Sequence, residues 1–141
     1  MAAYDEIADW YEEEFLRAQP VNPGASALRD LLGEGSGVCL EIGCGTGVHA
    51  DLVRELGWTP LGVDLSSGML RHARARQPTA QADAARLPIR DRSVDAVVSV
   101  LVHRSCWRSV RSSALQEPRT STAPTVCSRI PARRTGRWPS C

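Results

Sequence analysis

Apolar positions along this chain follow two rhythms. Between residues 4 and 18, Tyr4, Ile7, Ala8, Tyr11 and Phe15 recur at helical spacing with acids between them, which predicts an amphipathic helix ended by Pro20 and Pro23. Ala25 to Leu32 predicts a second, short helix stopped by Gly33, Gly35 and Gly37. The rhythm then changes to short continuous apolar runs. Val38 to Ile42 reads as a strand, Gly43-Cys44-Gly45-Thr46-Gly47 as a glycine turn, and Val48 to Leu56 as a helix. The order repeats after Gly57: Pro60 to Val63 closes on Asp64 as a second strand, and Ser66 or Ser67 caps a helix that runs to about Arg76. Thr79 to Ala82 predicts a third strand and Val94 to Val102 a fourth. Strands with no polar face, alternating with helices, imply a parallel, doubly wound α/β sheet.

Beyond His103 both rhythms stop. Residues 104–141 hold 7 Ser, 4 Thr and 4 Pro against four aliphatic residues, too little apolar surface to offset the ordering of a backbone, so disorder is expected there. Charge divides at the same place. The net charge of the 141 residues is +1, yet residues 1–103 carry −6 and residues 104–141 carry +7. All 17 basic residues are Arg, which excludes a Walker A phosphate loop, a Lys Schiff base and a Lys general base. The basic tail has only Trp107 and Trp138 as stacking groups and no folded module, so no nucleic-acid partner is expected. Five cysteines without a C-x-x-C pair indicate neither a zinc site nor a disulfide framework. The acidic start and the lack of a long apolar run predict a cytoplasmic protein without a membrane span.

The chemistry concentrates at the glycine turn. Glycines there let the backbone bend sharply and approach a ligand with no side chain between. A dinucleotide site needs G-x-G-x-x-G, whose third glycine would fall at Val48; the spacing present is G-x-G-x-G, which disfavours a dinucleotide oxidoreductase. Asp64, at the end of the second strand, is placed to accept both hydroxyls of a ribose, or else to cap the helix near Ser66. Asp83 is either an acceptor for an exocyclic amine such as adenine's or a solvated loop acid, and Leu65, Met69 and Leu87 are candidate apolar walls. His49 and His72 lie in helical segments far apart in sequence, nothing pairs them with each other, and both read as structural. His103, at the end of the fourth strand, is a weak catalytic candidate, as a base or substrate contact, or a surface histidine.

With these residues in view, the chain resembles the class I S-adenosylmethionine-dependent methyltransferases, particularly the methyltransferase type 11 or UbiE-like group. Val38 to Gly47 resembles the family's first motif, Leu61 to Ser66 its second, Ala82 to Pro88 its third and Ser93 to His103 its fourth. The resemblance implies a Rossmann-like fold and S-adenosylmethionine as cofactor. It implies that Gly43, Cys44, Gly45 and Gly47 pass along the methionine part, that Glu41 orders the turn, that Asp64 holds the ribose with Leu65 and Met69 nearby, and that Asp83 and the Ala84 backbone read adenine. Tyr4 and Tyr11 resemble the family's N-terminal helix that closes over the cofactor, or are plain core contacts.

The family's strand order is 3-2-1-4-5-7-6, and only the first four strands have counterparts here. The expectation is therefore a methyltransferase core over residues 1–103, truncated after strand four, with 104–141 the product of a frameshift. Its function would be methyl transfer to a small-molecule acceptor, or that of a non-catalytic cofactor-binding remnant. Without strand five, Ala96 to Val102 would form an open sheet edge through which copies of the chain could associate.

Overall fold

The computed structural model describes residues 2–90, 92–100 and, as a backbone strand, 126–128. Five strands, β1 (Val38–Ile42), β2 (Thr59–Asp64), β3 (Thr79–Gln81), β4 (Ala96–Ser99) and β5 (Val126–Ser128), form one sheet in the order β3-β2-β1-β4-β5. β1 runs parallel to both β2 and β4, with Leu40 opposite Leu61 on one side and Val97 on the other, and β2 runs parallel to β3. The first four strands thus take the order expected from the sequence.

Burial explains why these strands show no alternation of polar and apolar residues. On β1, Cys39 joins Leu28, Leu32, Leu52, Val53, Leu56, Trp58, Ala96 and Val98 in one core cluster, whereas Leu40 and Ile42 join Val63 and Val97 in another. The first cluster lies beneath α2 (Ala25–Leu32) and α3 (Ala50–Glu55); the second is covered by Ala82, Ala84, Leu87, Ile89 and Val94. A strand buried on both faces is apolar on both, and the exception on β1, Glu41, is held by a partner. α4 (Ser67–Ala73) packs Leu70 and Ala73 against Cys44. Its N-cap is Ser66, whose Oγ accepts the Met69 N–H at 3.1 Å.

Two expectations are corrected. The helix read over residues 4–18 is a run of turns, a three-residue α1 (Ala8–Trp10) and one π-helical turn (Tyr11–Phe15), in which the Leu16 N–H reaches the Tyr11 carbonyl at 3.0 Å. Helical spacing fixed which residues share a face, and the acids along it bond to α4 and the residues after it. The β4 edge, expected open, carries β5: Val97, Val98 and Ser99 pair antiparallel with Ser128, Cys127 and Val126. An edge strand presents a row of unmet N–H and C=O groups, and these three residues of the tail meet them. The rest of residues 104–141, expected to be disordered, lies outside the described residues, as does His103.

Candidate functional site

A glycine turn joins β1 to α3. Gly43, Gly45 and Gly47 have φ of +72°, +53° and +78°, alternating with residues of ordinary conformation. The N–H groups of Gly43 and Cys44 both donate to the Val63 carbonyl, at 2.8 and 3.0 Å, which fastens the turn to the end of β2. At Gly45 a Cβ would meet nothing within 4 Å, so the backbone there faces open space. At Gly47 it would crowd Ala73 Cβ at 3.2 Å and Gln77 Nε2 at 3.3 Å. The first glycine leaves room above the turn; the second lets α4 pack beneath it.

Asp64 stands beside that open space. Its Oδ2 accepts the Gly45 N–H at 2.8 Å and its Oδ1 the Ser66 N–H at 2.9 Å. Two backbone donors fix the carboxylate while each oxygen keeps a free lone pair. The helix cap is Ser66, so the capping role considered for Asp64 falls to its neighbour. Beside Asp64, a cleft of about 480 Å³ is lined by Ala2, Asp5, Leu65, Ser67 and Gln81, with Leu65 exposed.

Below the turn lies Glu41, 2 % exposed, whose Oε1 is 2.7 Å from Nδ1 of His49. Its second oxygen is buried without a hydrogen-bond partner among the described residues. His49 reaches the Pro23 carbonyl with Nε2, also at 2.7 Å. Burial alone would lower the His49 pKa, but the hydrogen bond and charge of Glu41, with the Pro23 carbonyl, hold it above the usual histidine value. The Cys44 thiol is pushed far above its usual range by burial and by the charges of Glu41 and Asp64, so it stays neutral.

The remaining sequence candidates differ in setting. Asp83 is exposed and its Oδ1 accepts the Ala85 N–H at 2.8 Å, which makes it the anchor of a local turn. Ala84 and Leu87 are half-buried against the β1–β2 core, and Met69 is 3 % exposed on the inner side of α4 rather than open to the cleft. Tyr4 is 55 % exposed; Tyr11 stacks on Phe15 with ring centroids 5.1 Å apart.

Sequence reasoning missed what fastens the N-terminal segment. Asp5, Asp9 and Glu12, spaced like one helical face, line up along α4 and the residues after it. Asp5 Oδ1 accepts the Gly68 N–H at 2.9 Å and the Ser66 hydroxyl at 2.7 Å. Asp9 meets Arg71 at 2.6 Å and His72 at 2.8 Å, and Glu12 pairs with Arg76, whose Nη1 also donates to the Thr46 carbonyl at 2.8 Å. His72 and His49 thus both have partners, though not each other. The acids at 5, 9 and 12 were visible as a stripe, but nothing local shows that the basic groups facing them are some 60 residues away. Among the described residues no helix is long and apolar enough to cross a membrane, and no group of three or more His, Cys, Asp or Glu could hold a metal ion.

Residues 40–125 match the profile of a family described as a methyltransferase domain. A probable S-adenosylmethionine-dependent methyltransferase of Mycobacterium tuberculosis is 33 % identical over 105 residues, covering 72 % of this chain and 35 % of the relative. The malonyl-[acyl-carrier protein] O-methyltransferase of Serratia marcescens is 37 % identical over 122 residues, covering 78 % of this chain and 47 % of the relative. Among solved structures, a Thermotoga maritima S-adenosylmethionine-dependent methyltransferase superposes with a TM-score of 0.55 at 29 % identity, over 69 % of this chain and 45 % of that one. A Haloferax volcanii methyltransferase solved with its Trm112 activator gives 0.60 at 23 % identity, over 71 % of this chain and 47 % of that one, a likeness of fold. The chain spans less than half the length of these relatives.

Proposed function

Since this chain belongs to the methyltransferase-domain family, we propose that it binds S-adenosylmethionine across the glycine turn and that its activity is methyl transfer to a small-molecule acceptor. The observation that carries this reading is the open space over Gly45 beside a carboxylate that the Gly45 N–H itself orients, at 2.8 Å from Asp64 Oδ2.

The residues present fit that cofactor. Asp64 keeps lone pairs for the ribose hydroxyls, and Gly45 presents backbone where a side chain would block approach. Glu41, buried beneath the turn with its second oxygen unpartnered among the described residues, is held against His49 and so orders the strand end that carries the turn. Asp83 and the Ala84 backbone would take the adenine, Leu65 the edge of the cleft, and Cys44, Gly43 and Gly47 the floor of the turn. Tyr4, exposed on the N-terminal segment, would close over the site. Bound S-adenosylmethionine supplies an electrophilic methyl group on a sulfonium. The protein's own contribution is then to position donor and acceptor and to exclude water, which is catalysis by proximity. The binding unit is residues 1–103, and residues 104–141 are not needed for cofactor affinity.

Calorimetry with S-adenosylhomocysteine and with NAD tests this. Preference for S-adenosylhomocysteine is expected, and Asp64→Asn should weaken it by about 1–3 kcal/mol, the cost of leaving a ligand donor unmet. Tighter binding of NAD would overturn the reading.

A further inference from the structure

His49 is 4 % exposed and immediately precedes α3, with an acceptor at each ring nitrogen. Nδ1 lies 2.7 Å from Oε1 of Glu41 on β1, and Nε2 lies 2.7 Å from the Pro23 carbonyl, in the connection that leads into α2. A carbonyl only accepts, so Nε2 carries a hydrogen. The contact with Glu41 needs a second proton. Once one of these two protons is lost, one contact is left with acceptor facing acceptor in a buried place. Both contacts therefore hold only while the pair keeps both protons, which with the shared proton on Nδ1 makes it an imidazolium on a carboxylate.

These contacts join two parts of the proposed site. Glu41 lies two residues before Gly43, on the strand that carries the glycine turn. Pro23 belongs to the N-terminal segment, whose neighbouring Asn22 donates from Nδ2 to the Val48 carbonyl at 2.6 Å. Resting on the cofactor reading above, we propose that His49 is a positioning residue whose charged ring fastens the N-terminal segment to the glycine turn, so that cofactor affinity is high while the ring is charged and falls once it is neutral.

The other ionisable groups around the ring do not replace this role. On its own helix Asp51 is paired with Arg54 at 2.8 Å in solvent. Arg76, following α4, is held by Glu12 and the Thr46 carbonyl. Cys44, in the turn, remains a thiol. Glu41 is the acid that acts on the ring, and it holds the ring's pKa above its ordinary value against the effect of burial. A raised pKa means that the contribution is complete below the unfolded histidine value of about 6.5 and is lost as pH rises through the folded value.

The test measures S-adenosylhomocysteine affinity by calorimetry from pH 6 to 10 on the full chain, on His49→Gln and on Glu41→Gln. It is read beside the ¹⁵N ring resonances of His49 and the exchange protection of the Ala25 amide. In the unaltered protein both ring nitrogens should be protonated below the pH at which affinity falls. Affinity should then fall about tenfold or more, with Ala25 protection, at the same pH at which the ring titrates. His49→Gln should bind weakly with no step in that range, and Glu41→Gln should move both ring titration and affinity step to lower pH. A ring that titrates at or below the ordinary value, or a His49→Gln protein with the unaltered pH step, overturns the proposal. If no ligand binds at any pH, the cofactor reading fails. The fastening is then upheld if Ala25 protection follows the ring titration and overturned if it does not.

Discussion

Alanine at Gly45 and at Gly47 should damage this protein in different ways, although the two glycines share one turn and both have positive φ. At Gly45 the added methyl group meets nothing within 4 Å, so the cost to folding is the left-handed conformation alone, about 1–2 kcal/mol. At Gly47 the same strain applies, and the methyl also lies 3.3 Å from Ala73 Cα, part of the backbone of a packed helix that cannot yield cheaply. Overpacking adds about 1–3 kcal/mol, for a total of about 2–5 kcal/mol. Urea unfolding should therefore rank Gly47→Ala well below Gly45→Ala in stability. Binding should rank them in reverse. The Gly45 methyl occupies the space assigned to the cofactor, so affinity for S-adenosylhomocysteine should drop tenfold or more, about 1.4 kcal/mol. Gly47→Ala, measured where it is still folded, should bind within about threefold of the unaltered protein. Unaltered affinity in Gly45→Ala would remove the ligand from the space above that residue. Equal loss of stability in the two variants would refute the packing argument.

Asp5, whose carboxylate accepts the Gly68 N–H, the Ser66 hydroxyl and the Ala2 N–H, is held down to about 2. Its contribution is therefore complete above its ordinary value of 3.8 and is lost as pH falls through about 2; acid unfolding curves of Asp5→Asn should lack that part of the pH dependence. Ser66→Ala removes both the α4 cap and a donor to Asp5, and thermal unfolding should register a loss of about 1–2 kcal/mol. Trp58, 5 % exposed and donating from its indole to the Gly33 carbonyl at 3.0 Å, is the largest side chain of the α2–α3 cluster; Trp58→Ala should cost about 3–5 kcal/mol in urea unfolding.

Several features were decided locally and were legible as such. α2 begins and ends where the apolar spacing and the flanking glycines place it, at Ala25 and Leu32. The glycine turn follows β1 because nothing but glycine accepts positive φ at alternate positions without strain. Ser66 caps α4, as its hydroxyl and position indicate. The parallel sheet follows from strands that carry no polar face. What the sequence could not disclose depends on residues far apart in the chain. Helical spacing between residues 4 and 18 grouped the apolar residues, but the partners of Asp5, Asp9 and Glu12, namely Gly68, Arg71 and Arg76, are supplied by α4 and its C-terminal turn, some 60 residues away. The β4 edge looked open because β5 is separated from it by 26 residues of unpatterned chain, and pairing between strands is a matter of backbone groups that no side-chain rhythm reports. The partners of His49 were not legible because Glu41 is eight residues away across a sharp turn and Pro23 is 26 away on another element. Only the fold brings a carboxylate and a carbonyl to its two nitrogens, and burial gives their protons the consequence that an exposed histidine would lack.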